Sequence, residues 1–190
     1  MEKAANRLQS LLLKSTSERV SDLGEIAVAF SGGLDSSVLA ALAKTCTTNV
    51  NLITVGLKGQ LELLHAQKAA ESLKLPLHLQ TYTVVDVENA LEKVLWLIEE
   101  PDVMKVGVAL PFFWAAETAS RNGCHVLLAG QGADELFGGY HRYLTDSNRG
   151  SFKAVQDSMF HDLTKSYETN FQRDNPVCAF HKVELRLPYI

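Results

Sequence analysis

Apolar and polar positions follow two periods along this chain, and the period switches repeatedly. Leu8, Leu11 and Leu12 fall on one side of an amphipathic helix predicted over residues 3–20. The run EIAVAF (25–30) is apolar almost throughout, as expected for a parallel strand covered on both faces. From Leu34 the spacing becomes helical, with Leu34, Val38 and Leu42 in one row and Leu39 beside them. NVNLITVGL (49–57) predicts a second strand, and Leu63, Ala66, Ala70 and Leu73 mark the inner face of a helix ending before Pro76. LHLQTYTV (77–84) alternates like a strand. Val87, Leu91, Val94 and Ile98 then mark a helix with Asp86 as its N-cap and Pro101 beyond its end. Pro111 opens a helix carrying Phe112, Ala115, Ala116 and Ala119, closed by Asn122–Gly123. HVLLAG (125–130) reads as a further buried strand, and Phe152, Val155, Met159 and Leu163 as a helix from 150 onward.

Strands that alternate with helices imply a parallel sheet with right-handed crossovers and helices on both faces, a Rossmann-like α/β class. The 190 residues fit a single domain spanning 1–190. With 46 % hydrophobic and 21 % charged residues, the core needs no disulfide support. Cys46, Cys124 and Cys178 are odd in number and widely spaced, which argues against a disulfide framework or a structural zinc and for a reducing compartment. A net charge of −4 speaks against nucleic acid as the main partner. The apolar run at 11–13 is too short for a signal peptide, and no run is long enough to cross a membrane, so a cytoplasmic protein is expected.

Candidate chemistry gathers at two Gly-rich turns. SGGLDSS (31–37) lies between a predicted strand and a helix N-terminus. Gly32 and Gly33 let the backbone approach a ligand, and the amides and dipole of the following helix attract an anion. Ser31, Ser36 and Ser37 add hydroxyl donors. No Lys follows the glycines, as a Walker loop requires; an acid, Asp35, occupies the first helical turn instead. An acid beside polyphosphate calls for Mg²⁺ between them, although Asp35 also suits a helix cap. LLAGQGADELFGGYHRY (127–143) is a strand end, a Gly-rich turn and an acid pair, Asp134–Glu135. Ligands of open α/β sheets bind outside the carboxyl ends of the strands, so both turns are expected to face one crevice, with Asp35 and Asp134 as the metal pair.

SGGLDSS resembles the pyrophosphate loop of the N-type ATP pyrophosphatases, which split ATP between the α- and β-phosphates. LLAGQGADELFGGY resembles the corresponding stretch of the asparagine synthetase C-terminal domain, and FQRDNPVCAFHKVELRLPY (171–189) resembles a later segment of that family. The likeness runs from about Ala27 to Tyr189, with Asp102 and Pro111 at family-like places. It implies an adenine nucleotide alpha hydrolase-like fold that binds ATP and Mg²⁺. Nucleotide contacts are implied at Ala29, Val55, Ala129 and Gly130. Glu135 is implied in the catalytic set, and Glu184 and Arg186 near the active site, where a plain surface ion pair is the alternative. The implied activity is a ligase that activates a carboxylate, aspartate by resemblance, as acyl-AMP and then amidates it.

Four departures qualify that reading. Residue 2 is Glu where the family's glutaminase domain begins with a catalytic Cys, so a single domain without that glutaminase is expected, with ammonia, another amine, or a glutaminase or completing partner subunit supplying nitrogen. Gln131 replaces a family Glu implicated in forming and aminating the adenylate; an amide cannot take up a proton as a carboxylate can. Met104, Lys105 and Gly107 replace Thr-Thr and Arg, leaving Lys105 as the candidate positive charge toward phosphate. The sequence stops at Ile190, before the segment in which the family contributes a catalytic Lys, so a minimal family member, a fragment, or a site completed by another chain is expected. Another ATP pyrophosphatase with a different acceptor, or a non-catalytic nucleotide-binding module, are the alternatives.

Overall fold

A computed structural model describes residues 2–47, 49–144 and 152–190. Five strands form one parallel sheet: β1 Glu25–Ala29, β2 Asn49–Leu57, β3 Leu77–Tyr82, β4 Val126–Leu128 and β5 Glu184–Arg186. Their spatial order is β3-β2-β1-β4-β5. The chain therefore builds from β1 toward one edge, returns, and builds from β4 toward the other. β1 pairs with β2 from Glu25↔Asn49 to Ala29↔Ile53, and with β4 at Ala27↔Leu127 and Val28↔Leu128.

The two-residue period of the strands separates two cores. Ile26, Val28, Leu52 and Leu128 pack against α1 Glu2–Val20, α2 Leu34–Cys46 and α3 Glu62–Leu73. Ala27, Ile53, Leu127 and Leu185 pack against α4 Val84–Ile98 and α5 Val103–Arg121 on the other face. The helix Gln172–Phe180 covers that same face through Val177 and Cys178. In chain order it is α8, after α6 Ala133–Phe137 and α7 Phe152–Ser166, and a π-helical turn, Tyr167–Phe171, leads into it. Helices on both faces of an all-parallel sheet agree with the expected class. No helix among the described residues is long and apolar enough to cross a membrane.

Several local expectations change. The helix expected at Pro111 starts eight residues earlier, at Val103, where the Asp102 side chain accepts from the Lys105 N–H at 2.9 Å. Pro111 sits inside that helix. Asp86 is not the N-cap of α4: Thr83 is, and Asp86 completes a reciprocal capping box by accepting from the Thr83 N–H at 2.7 Å. Strand β3 consequently stops at Tyr82, and β1 and β4 are shorter than their apolar runs. Leu8 and Leu11 of α1 are exposed, and Thr16 and Val20 are the residues it buries. Phe152 is exposed too, while Val155 is buried. Gly150 and Ser151, at the start of that expected helix, lie outside the described residues.

Leu127 is fully buried in β4, between the two halves of the sheet. Leu127→Ala removes its contacts and leaves a cavity, for an expected loss of about 2–5 kcal/mol. Urea unfolding measures it, and a loss well under about 1 kcal/mol would show that β4 is not packed as described.

Candidate functional site

The sheet order reverses between β1 and β4, and a crevice opens beyond their carboxyl ends. The Phe30 N–H donates to the Ile53 carbonyl at 2.8 Å, and Thr54 Oγ1 donates to the Phe30 carbonyl at 2.6 Å. These bonds aim the chain leaving β1 across the end of the sheet. The result is a cleft of about 520 Å³. Ala29, Ser31, Asp35 and Ser36 line it from the β1 side, and Ala129, Gly130, Gln131, Asp134 and Glu135 from the β4 side. Val55, Val108, Pro111 and Phe112 add an apolar wall.

The first turn is built to come close. Gly32 has φ +78°, and a Cβ there would lie 2.8 Å from the Ala66 Cα of α3. Only glycine fits both demands. Gly33 is the N-cap of α2 and brings no side-chain cap, so the first amides of a 13-residue helix are left for another acceptor. Ser31 and Ser36 brace the turn: their hydroxyls lie 3.2 Å apart, Ser31 Oγ accepts from the Gly33 N–H at 3.2 Å, and Ser36 Oγ donates to the Gly33 carbonyl at 3.2 Å.

The second turn carries the acids. Gly132 adopts φ +93° as α6 begins, and Gly139 packs so tightly on Asp134 that a Cβ would collide with its carboxylate. Asp35 has its pKa raised, first by burial and second by the negative charge of Asp134. The two carboxylates therefore feel one another across the cleft. Tyr189 donates from Oη to the Asp35 carbonyl at 3.0 Å, and burial followed by the Asp35 charge pushes its phenol up to about 12. Glu135 is buried and accepts from Ser166 Oγ at 2.6 Å and from Tyr140 Oη at 3.0 Å. Burial and the Glu135 charge raise the Tyr140 phenol, so it stays a donor.

Behind the acids lies a polar wall that joins Gln131 to residues not among the sequence candidates. Gln131 Nε2 donates to Asp174 Oδ2 at 2.5 Å. Arg173 forks onto the same carboxylate, Nε to Oδ1 and Nη2 to Oδ2, both at 2.7 Å. Arg173 Nη1 donates to Asn170 Oδ1 at 3.2 Å, and Asn170 Nδ2 donates to Ser166 Oγ at 3.2 Å. Arg173, Asn170 and Tyr140 line the cleft. The π turn before α8 places Asn170, and such turns recur at functional sites. The stretch QRDN held a further sequence signal for this wall, an acid–base pair beside an amide, on a helix that carries Pro176 inside it.

Other expected residues are not gathered into the cleft. Gly32, Gly33 and Ser37 shape the first turn without lining the cavity. Lys105 forms an ion pair with Glu100 near the start of α5. Glu184 and Arg186 pair with each other at 2.8 Å on edge strand β5, and Arg186 Nη1 also donates to the Arg19 carbonyl. The pair lines a separate groove with Glu18 and Arg19 because residues two apart on a strand share a face. The guanidinium holds the Glu184 carboxyl below its ordinary range. Among the described residues no three His, Cys, Asp or Glu side chains form a metal cluster. Asp35 and Asp134 alone suit a cation that takes its other ligands from water or phosphate oxygens, as Mg²⁺ does.

A family model described as asparagine synthase matches residues 7–156. A Methanocaldococcus jannaschii protein named "Putative asparagine synthetase (glutamine-hydrolyzing) 1" is 35 % identical over 189 residues, covering 100 % of this chain and 35 % of its own length. A glutamine-hydrolyzing asparagine synthetase of Asparagus officinalis is 30 % identical over 177 residues, covering 86 % of this chain and 29 % of its own. The chain thus spans about a third of the curated relatives it matches. A solved structure described as a predicted subunit of tRNA methyltransferase from Methanocaldococcus jannaschii overlays 88 % of this chain and 69 % of its own, at 18 % identity and a TM-score of 0.48.

The Asp35–Asp134 repulsion has a measurable sign. A carboxyl raised in the folded state contributes stability below its unfolded pKa, about 3.9, and loses it as pH rises through the folded value. Asp134→Asn removes the second cause of that rise. In metal-free, nucleotide-free protein the variant should melt higher than the parent at neutral pH, and the advantage should shrink as pH falls through the carboxylate range. Calorimetry across pH tests this; an unchanged or lower Tm at neutral pH would mean that the two acids do not interact.

Proposed function

Because the chain belongs to the asparagine synthase family, we propose that its cleft binds ATP with Mg²⁺ and activates a carboxylate, aspartate by family likeness, as an acyl adenylate. One observation carries this reading: two Gly-rich turns, one at an uncapped helix N-terminus and one bearing an acid, meet over the reversal between β1 and β4.

The polyphosphate would lie on the α2 amides, with Ser31 and Ser36 beside it, and the nucleoside against Ala29, Val55, Ala129 and Gly130. Asp35 and Asp134 would hold Mg²⁺, which supplies charge neutralisation at the departing pyrophosphate. A carboxylate oxygen attacks the α-phosphorus, a new P–O bond forms, and the bond to the bridging oxygen breaks with its electron pair leaving on pyrophosphate. The nitrogen of ammonia or another amine then attacks the acyl carbon. The C–O bond to AMP breaks with its electron pair leaving on AMP, and the nitrogen would give up its extra proton to the Glu135 carboxylate or to water. Glu135, oriented by Ser166 and Tyr140, is the carboxylate at this end of the cleft. Nitrogen would come from free ammonia or from a glutaminase on a partner. A second reading keeps the adenylation but changes the acceptor, and the amide at Gln131 favours it, since an amide cannot serve as a base.

The products test the proposal. Turnover should yield AMP and pyrophosphate, and ATP–pyrophosphate exchange should depend on one carboxylate in a panel led by aspartate. Asp35→Asn and Asp134→Asn should each lower exchange by at least about tenfold, the cost of roughly one charge-assisted interaction. Clean formation of ADP and orthophosphate would refute it.

A further inference from the structure

One side chain from the edge of the sheet touches both Gly-rich turns. Tyr189 follows β5 and is buried in the same cluster as Leu39 and Ala40 of α2 and Ala133 of α6. These two helices carry Asp35 and Asp134 in their first turns. The Tyr189 hydroxyl donates to the Asp35 carbonyl at 3.0 Å. Its ring meets Phe137, at the end of α6, edge to face with centroids 6.1 Å apart. The tip of the side chain is thus tied to α2 and its body to α6. The second turn is seated on the same segment: a Cβ at Gly132 would lie 3.5 Å from Tyr189 Cβ and 2.5 Å from Ile190 Cγ1.

The two turns are not held equally from within. Asp134 is gripped by Gly139, whose N–H donates to its carbonyl at 2.9 Å. The first turn has no side-chain cap at Gly33, and the bond from Tyr189 reaches it from outside. Like charges on Asp35 and Asp134 push the turns apart, and a tie independent of any cation holds their span beforehand. Mg²⁺ takes its oxygens at about 2.0–2.1 Å in a near-ideal octahedron, whereas Ca²⁺ accepts about 2.3–2.6 Å and irregular geometry. A loosened span therefore costs Mg²⁺ more than Ca²⁺. We infer that Tyr189 is a positioning residue that sets the span between Asp35 and Asp134 and so favours a small divalent cation over a large one. This rests on the Mg²⁺ reading of the proposed function.

The test reads binding rather than turnover. Calorimetry gives the affinity of the full chain for α,β-methylene-ATP, which cannot be cleaved between the α- and β-phosphates, at saturating Mg²⁺, at saturating Ca²⁺ and with EDTA. Y189F removes the hydroxyl and keeps the ring. The Mg²⁺ complex should bind about five- to tenfold more weakly, the worth of roughly one hydrogen bond, while the Ca²⁺ complex changes by less than about twofold. A merely structural role would weaken both complexes together. F137L, at a half-exposed position, loosens the same wedge without touching the hydroxyl and should lower the Mg²⁺-to-Ca²⁺ preference in the same direction; it carries the test if Y189F does not fold. An unchanged preference, or an equal loss for both ions, would overturn the inference and leave the metal site standing. Equal binding of the analogue by the parent chain in EDTA would instead overturn the Mg²⁺ reading, and this inference with it.

Discussion

Ala27 and Val28 pair with Leu127 and Leu128, and this short parallel ladder joins the two halves of the sheet. All that is chemically distinctive in the molecule depends on it. β1 and β4 are far apart in sequence and run in the same direction, so their carboxyl ends emerge side by side. Crossovers lead away from them on opposite sides, and the space between stays open. The burial of Ile26, Val28, Leu127 and Leu128 on alternating faces holds the ladder in register, because a one-residue slip would invert every side chain.

The cleft that results is electrostatically divided. On the β1 side an uncapped helix end and hydroxyls favour an anion. On the β4 side Asp134 and Glu135 concentrate negative charge, and Asp35 reaches toward them from the first turn. Neither half is satisfied alone. A polyphosphate carrying a divalent cation would complement both, and that is the physical content of the nucleotide proposal.

The back wall answers a different demand. Ser166, Glu135, Tyr140, Asn170, Arg173, Asp174 and Gln131 form one connected chain of hydrogen bonds. Buried polar groups are tolerated when each has a partner, and nearly all of these do. The exception, Gln131 Oε1, is buried without a hydrogen-bond partner.

Periodicity and turn chemistry made the α/β alternation, the two Gly-rich turns and the acids legible in the sequence, because they are local: strand and helix periods, glycine at positive φ, an acid in the first helical turn. Gly32 and Gly132 do adopt that backbone. Local rules failed where a residue has two uses. Pro111 read as the start of a helix but sits inside one, and Asp86 supports a cap rather than being one. Charged pairs were the least legible. Glu184–Arg186 and the neighbouring Arg173–Asp174 carry the same kind of signal, yet the first pair lies on an edge strand and the second under the cleft. Sequence determines that a carboxylate and a guanidinium are close along the chain. Only the packing of α8 against the sheet decides which pair is buried beside Gln131, because burial depends on elements brought together from distant parts of the chain.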